Sequence, residues 1–165
     1  VNVPDFEIEA RGRVIFHGAQ LESTVLAMLS DAAFGPDHSE KAEIILAGMP
    51  VSQALERLAS IAELLDTGRD PDLLRDVRTW VTRAKAAIAQ RNLVVHGQVV
   101  LEFDSESREL LPKILRVGAA KKHQRRVDFE DGYVSDAVEL LQDVVIDGYA
   151  LQRRITEAVL PPAGR

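Results

Sequence analysis

The sequence predicts an all-α fold, an antiparallel four-helix bundle with one small β-hairpin inserted between its third and fourth helices. Three observations carry this reading. Apolar residues recur at spacings of three and four in four long segments, turn residues separate segments of similar weight, and a single stretch alternates with the period of a strand. The chain has 165 residues, 46% of them hydrophobic and 28% charged. It is therefore sized for one domain over residues 1–165 that buries a core without metal or crosslinks.

The first helical segment runs from about Arg13 to Phe34 and places Leu21, Val25, Met28 and Leu29 on one face before Gly35-Pro36 stops it. Gly18 and the β-branched Val14 and Ile15 weaken its first turn. A short helical piece around Ala42 to Leu46 precedes the second segment. That segment starts near Pro50, carries Val51, Leu55, Leu58, Ala62 and Leu65, and ends at Thr67-Gly68. The third has the clearest start, with Asp70 as cap, Pro71 at the first helical position and Asp72 at the positive end of the dipole. It continues to His96, where Gly97 takes the left-handed cap.

Beyond it, Val99, Leu101 and Phe103 alternate with polar neighbours, DSESRE turns the chain, and Ile114 to Val117 is apolar again. This is a hairpin over about 98–118. The last segment begins at Asp128 as cap and passes through Val134, Val138, Leu141, Val145, Gly148, Leu151 and Ile155 to Pro161-Pro162.

The absence of cysteine excludes thiol nucleophiles, cysteine-ligated metals, iron–sulfur clusters and disulfides. No glycine-rich phosphate loop, G-x-S-x-G elbow or HExxH helix is present, and His17, His38 and His123 have no pairwise metal spacing. Neither cofactor nor metal is therefore expected. The opening VNVPDFEIEARGR lacks the pattern of an export signal, and no apolar run approaches the roughly 18 residues of a membrane span. The expectation is a soluble, cytoplasmic protein that does not enter a membrane.

A net charge of −6 argues against whole-molecule attraction to nucleic acid, so any such binding is local. The basic residues, fifteen Arg and five Lys, clump at Lys121, Lys122, Arg125 and Arg126. By itself such a run reads as a solvated loop.

The most informative stretch is AAIAQRNLVVHGQ, at the end of the third helix. At about 100° per residue, Leu73, Val77, Trp80, Ala84, Ile88 and Val95 lie within about 60° of Arg91, which puts a guanidinium in the middle of an apolar stripe. His96 lies about 140° away, on a polar, basic track with Arg78, Thr82 and Lys85. Trp80 belongs to the inward face and reads as core.

The segment RNLVVH, from Arg91 to His96, resembles the signature of the HEPN domains, four-helix bundles many of which are metal-independent ribonucleases and toxins. An Arg with four to six residues before a His also occurs at Arg11–His17 and Arg116–His123, but only Arg91 is followed by Asn and sits at a helix end. The likeness extends to Leu21-Glu22 in the first helix, ILAGMPVSQALERL leading the second, and a hairpin before a long last helix.

The resemblance implies an endoribonuclease leaving 2′,3′-cyclic phosphate ends, of the toxin or defence-effector type, with an antitoxin protein as a partner. Arg91 would clamp the phosphate, His96 would move a proton or orient the 2′-hydroxyl, and Asn92 would hold either group or the scissile phosphate. Arg78, Lys85, Lys121, Lys122, Arg125 and Arg126 are the weaker candidates for contacts with an RNA backbone. Because Arg91 and His96 point apart, the site needs a homodimer through the C-terminal half of the third helix. The competing reading is a non-catalytic helical module that binds nucleotide, RNA or protein. In its purely structural form Arg91 pairs with a carboxylate such as Glu22 or Asp147, and His96 caps the helix.

Overall fold

The protein is represented by a computed structural model that describes residues 5–65, 70–96, 98–103, 106, 108, 110–116, 125–128 and 133–160. It is predominantly helical. The helices are α1 (Asp5–Phe34), α2 (Ser39–Leu46), α3 (Val51–Ala62), α4 (Leu73–His96) and α5 (Tyr133–Val159), with a single 3-10 turn at Pro36–His38.

The helix α1 starts at Asp5, well before the expected Arg13. Val14, which weakens a helix locally, is fully buried in the common core, so tertiary packing overrides its propensity. The helix ends as its sequence dictates. Gly35 adopts φ +78°, which only glycine takes without strain, and its N–H donates to the Asp31 carbonyl at 3.0 Å. At the start of α4 the Leu73 N–H donates to the Asp70 carbonyl at 3.2 Å. The Asp70 carboxylate takes the backbone N–H groups of Asp72 and Leu73, as expected of a cap. Thr67 and Gly68, the expected end of the second segment, lie outside the described residues, as does Gly97.

One core joins the helices. Leu21, Val25, Met28 and Leu29 of α1, Leu55 and Leu58 of α3, Leu73, Val77 and Trp80 of α4, and Leu141, Leu151 and Ile155 of α5 are all buried in it. In the last turns of α4 the buried residues are Ala87 and Val94, while Ile88 and Val95 are only partly covered. The stripe drifts one position from the expected line.

The pairing of the long helices corrects an expectation. His17 meets Gln142, and Asp31 meets Gln152 and Thr156, at sequence separations of 125, 121 and 125. A near-constant separation means that α1 and α5 run parallel, not antiparallel. The cause lies in α4, which runs against both. Its Arg91 lies over Gly18 of α1, whereas its Trp80 lies with Thr24 of α1 against Gly148 of α5. Its Arg83 pairs with Asp147 and its first turn with Arg154.

The three helices meet closely at Gly148. A Cβ there would lie 2.8 Å from Thr24 Cγ2 and 2.9 Å from Trp80 Cζ2. Trp80, only 3% exposed, donates its indole N–H to the Val144 carbonyl at 2.8 Å, which satisfies the polar end of a buried ring.

Between α4 and α5 the chain holds three short strands where two were expected: β1 (Gln98–Phe103), β2 (Leu110–Arg116) and β3 (Arg125–Asp128). They form an antiparallel sheet in the order β1-β2-β3, with Val99 opposite Ile114 and Ile114 opposite Val127. Asp128 therefore ends a strand, paired with Lys113, and does not cap α5, which starts at Tyr133.

Among the described residues, no helix is long and apolar enough to cross a membrane.

Candidate functional site

The end of α4 brings two of the three RNLVVH residues together. The side chain of Arg91 is 22% exposed, and its Nη1 donates to Asn92 Oδ1 at 2.9 Å. Its Nη2 lies 3.7 Å from Glu22 Oε1 on α1, an ion pair beyond hydrogen-bond length. Its Nε is buried without a hydrogen-bond partner among the described residues. A guanidinium has five donors in a fixed fork, so this one is placed by its neighbours, and with Nε buried only its two Nη groups are left to meet a ligand.

What lets an arginine lie here is Gly18. A Cβ at that position would come 3.0 Å from Arg91 Cγ and 3.1 Å from its Nε, so the bare backbone of α1 forms the socket for the arginine stem. The sequence signal was present as a glycine inside a helix. It reads locally as a weak first turn, whereas its cause is the close approach of another helix.

His96 occupies the exposed last turn of α4. Among the described residues it forms no hydrogen bond or ion pair with Arg91 or Asn92, consistent with the angular separation along the helix. Lys85 is exposed and likewise without a partner among those residues. Arg78 is engaged elsewhere, with its Nη2 2.6 Å from Glu63 Oε1. Arg125 and Arg126 lie in β3, opposite Arg116 and Leu115, and Lys121 and Lys122 lie outside the described residues.

Next to the Gly18 socket, His17 is half-buried rather than a plain surface residue. Its Nδ1 is 2.8 Å from Gln20 Oε1, and its Nε2 is 3.0 Å from Gln142 Nε2. The Gln142 amide nitrogen can only donate, so Nε2 is the accepting side of the ring and Nδ1 the side turned to the Gln20 side-chain carbonyl oxygen. The ring also meets Phe16 edge to face, with centroids 5.2 Å apart. His17 joins α1 to α5 and offers no free nitrogen for chemistry.

A concavity of about 300 Å³ lies between α4 and α5, where Trp80 and Leu151 are flanked by Asp76, Arg83, Asp147 and Arg154. Its cations are already paired. Arg83 holds Asp147, and Arg154 makes a two-toothed contact with Asp70, at 2.7 and 3.0 Å, and a third bond to Asp76 at 2.9 Å. Hydrogen bonds from Arg154 hold both carboxyls below the ordinary carboxylate value, and the same contacts raise the guanidinium's own pKa. This arrangement fastens the start of α4 to the end of α5. Asp147, one of the two carboxylates considered for Arg91, is thereby assigned to Arg83, and Glu22 is the one beside Arg91.

Compared with protein-family models, curated proteins and solved structures, the chain matches none.

Proposed function

We propose that the chain is a HEPN-like four-helix bundle that cleaves RNA without a metal, in the manner of a toxin or defence effector. The observation that carries this is the Arg91 guanidinium, seated on Gly18, fixed by Asn92 and partly open to solvent, five residues before an exposed His96.

Cleavage of this kind needs three things. The 2′-hydroxyl must lose its proton as its oxygen bonds to phosphorus, the extra charge on the phosphate oxygens must be held, and the 5′-oxygen must be protonated as its bond to phosphorus breaks. In this reading Arg91 meets the phosphate oxygens with paired N–H donors and Asn92 fixes the direction of the fork. Of the two His96 copies in a homodimer, one would take the proton of the 2′-hydroxyl and the other would give a proton to the departing 5′-oxygen. Lys85, on the same helical track, would meet the neighbouring phosphate. One chain presents Arg91 and His96 on different sides of a helix, so the full site takes a homodimer through the end of α4. A cytoplasmic location and an antitoxin partner belong to the same proposal.

The second reading is a non-catalytic module that binds nucleotide, RNA or protein. The proximity of Glu22 to Arg91 favours it, because a carboxylate beside the guanidinium competes with a phosphate.

The test is cleavage of several RNAs in EDTA by the wild type, Arg91→Ala and His96→Ala, with folding followed by circular dichroism. Loss of cleavage in both folded variants, with cyclic-phosphate ends in the wild-type products, supports the nuclease. An inactive wild type that still binds RNA supports the second reading. An Arg91→Ala variant that unfolds beside an unaffected His96→Ala makes Arg91 a structural strut.

A further inference from the structure

The outer face of α5 carries exposed side chains that no described element covers. Ile146 is 65% exposed and Tyr149 54% exposed, and both lie on the side of the helix turned away from the core. Glu139, Asp143 and Arg153 are exposed on the same face. Glu139 and Asp143 have no ion-pair partner among the described residues, and Arg153 has only a solvent-exposed contact with Glu157, one turn along its own helix. Exposed apolar side chains set among charges are a common mark of a protein interface.

The order of the charges identifies the partner. Glu139 and Arg153 stand symmetrically seven residues before and after Ile146, and Asp143 and Tyr149 stand three before and three after. Residues at spacings of three and seven share a helix face. A second α5 laid antiparallel about a two-fold axis at Ile146 therefore places like on unlike at each step. Ile146 meets its own copy once, on the axis, and Glu139 faces Arg153 of the other chain on either side of it, a pair that occurs twice, with Asp143 and Tyr149 at the two margins of the seam. A two-fold interface must be complementary to itself. This stripe is complementary only when reversed, since in a parallel pairing Glu139 would face Glu139 and Arg153 would face Arg153.

From this charge complementarity we infer that α5 is a self-association surface and that its occupant is the α5 of a second copy of this chain, antiparallel across Ile146. Phe16, 59% exposed on α1 beside the His17–Gln142 contact, widens the apolar margin of the same side. The contact is essentially one helix pair, so it belongs to the small, weak class of interfaces, with dissociation in the micromolar range. The surface is distinct from the end of α4 invoked for RNA cleavage and does not rest on that reading.

Sedimentation velocity of the full chain between about 1 and 200 µM tests it, with circular dichroism of each variant as a folding control. All substituted positions are exposed, which leaves the core intact. The wild type is expected to gain mass with concentration, and Ile146→Glu to weaken that association at least tenfold. Glu139→Arg and Arg153→Glu should each lose the α5 contact, because like charges then face each other twice. An equimolar mixture of those two variants should regain it, since both crossed pairs become attractive. A wild type that stays monomeric at 200 µM overturns the inference, as does an assembly whose mass Ile146→Glu leaves unchanged at every concentration or a mixture that associates no more than either variant alone. An RNA-cleaving assembly of the same mass in wild type and Ile146→Glu up to 200 µM overturns this surface while sparing the nuclease proposal.

Discussion

Replacing Gly148 with alanine tests the packing at the centre of the molecule. The new Cβ would sit 2.8 Å from Thr24 Cγ2 and 2.9 Å from Trp80 Cζ2, and neither neighbour is free to retreat. The Thr24 hydroxyl donates to the Gln20 carbonyl at 2.9 Å, which fixes its rotamer, and the Trp80 ring is tethered to the Val144 carbonyl one turn before Gly148. Relief thus requires α5 to move from α1 and α4 together. Overpacking of this sort costs about 1–3 kcal/mol, and the better helix propensity of alanine returns about 1 kcal/mol. The two figures leave a net loss of at most about 2 kcal/mol, and because neither neighbour can retreat the upper half of that range is expected. Gly12→Ala is the control, since nothing lies within 4 Å of its Cβ and alanine there should add up to about 1 kcal/mol. The protein has one tryptophan, so denaturant unfolding can be followed by Trp80 fluorescence and compared at equal m. If Gly148→Ala proves as stable as the wild type, or both glycines respond alike, the three-helix contact is not as tight as argued.

Acid should weaken the tie between α4 and α5. Arg154 holds Asp70 and Asp76 below their ordinary value of 3.8, so the unfolded chain binds more protons in that range. Their contribution is present above about pH 4 and is lost as pH falls through the folded-state values; Arg154→Met should blunt this dependence in urea titrations between pH 2.5 and 6. At neutral pH that variant should lose about 1 kcal/mol through the Asp70 contact, a modest figure because a third of Arg154 faces solvent. Gly18→Ala should leave stability level or slightly raised, because only the flexible Arg91 arm must shift, yet reduce RNA cleavage or binding by tenfold or more. Glu22→Gln distinguishes a clamp from a strut. If Arg91 meets phosphate, removing the competing carboxylate tightens RNA binding severalfold at low salt, whereas for a strut stability falls and RNA affinity is unchanged.

Much of the helical plan is legible in the sequence because it rests on local chemistry. The Asp70 cap and the Gly35 stop act within one turn, and the faces led by Leu21, Leu55, Trp80 and Leu141 follow from helical spacing alone. What the sequence conceals is set between distant residues. The start of α1 moves to Asp5 because Val14 is buried by other helices, and the parallel course of α1 and α5 appears only in contacts such as Asp31 with Thr156. The third strand reads in the sequence as a charged loop and a helix cap, since RRVD is too short and too polar for periodicity to reveal it. At the candidate site, Arg91, Asn92 and Glu22 are recognisable from spacing and residue type. The socket at Gly18 and the diversion of Asp147 to Arg83 are three-dimensional facts.

The two proposed self-contacts cannot be the same contact. Arg83 of α4 pairs with Asp147 of α5, so the middle of α4 lies level with the two-fold axis at Ile146. Arg91 is eight residues further along α4, or about 12 Å at 1.5 Å per residue, and His96 about 20 Å. Reversal about the axis doubles these offsets, which leaves the two Arg91 groups about 24 Å apart along the helix direction. One phosphodiester cannot bridge that distance. A shared nuclease site therefore demands a second, separate two-fold contact at the ends of α4. Two different two-fold contacts on one chain close into a dihedral assembly, a tetramer when their axes intersect at right angles, or otherwise propagate into an open array. A dimer that cleaves RNA is then expected to use the α4 ends alone, and its assembly should continue to higher mass at concentrations where α5 also pairs. Ile146→Glu should stop that growth at the dimer without lowering cleavage per chain.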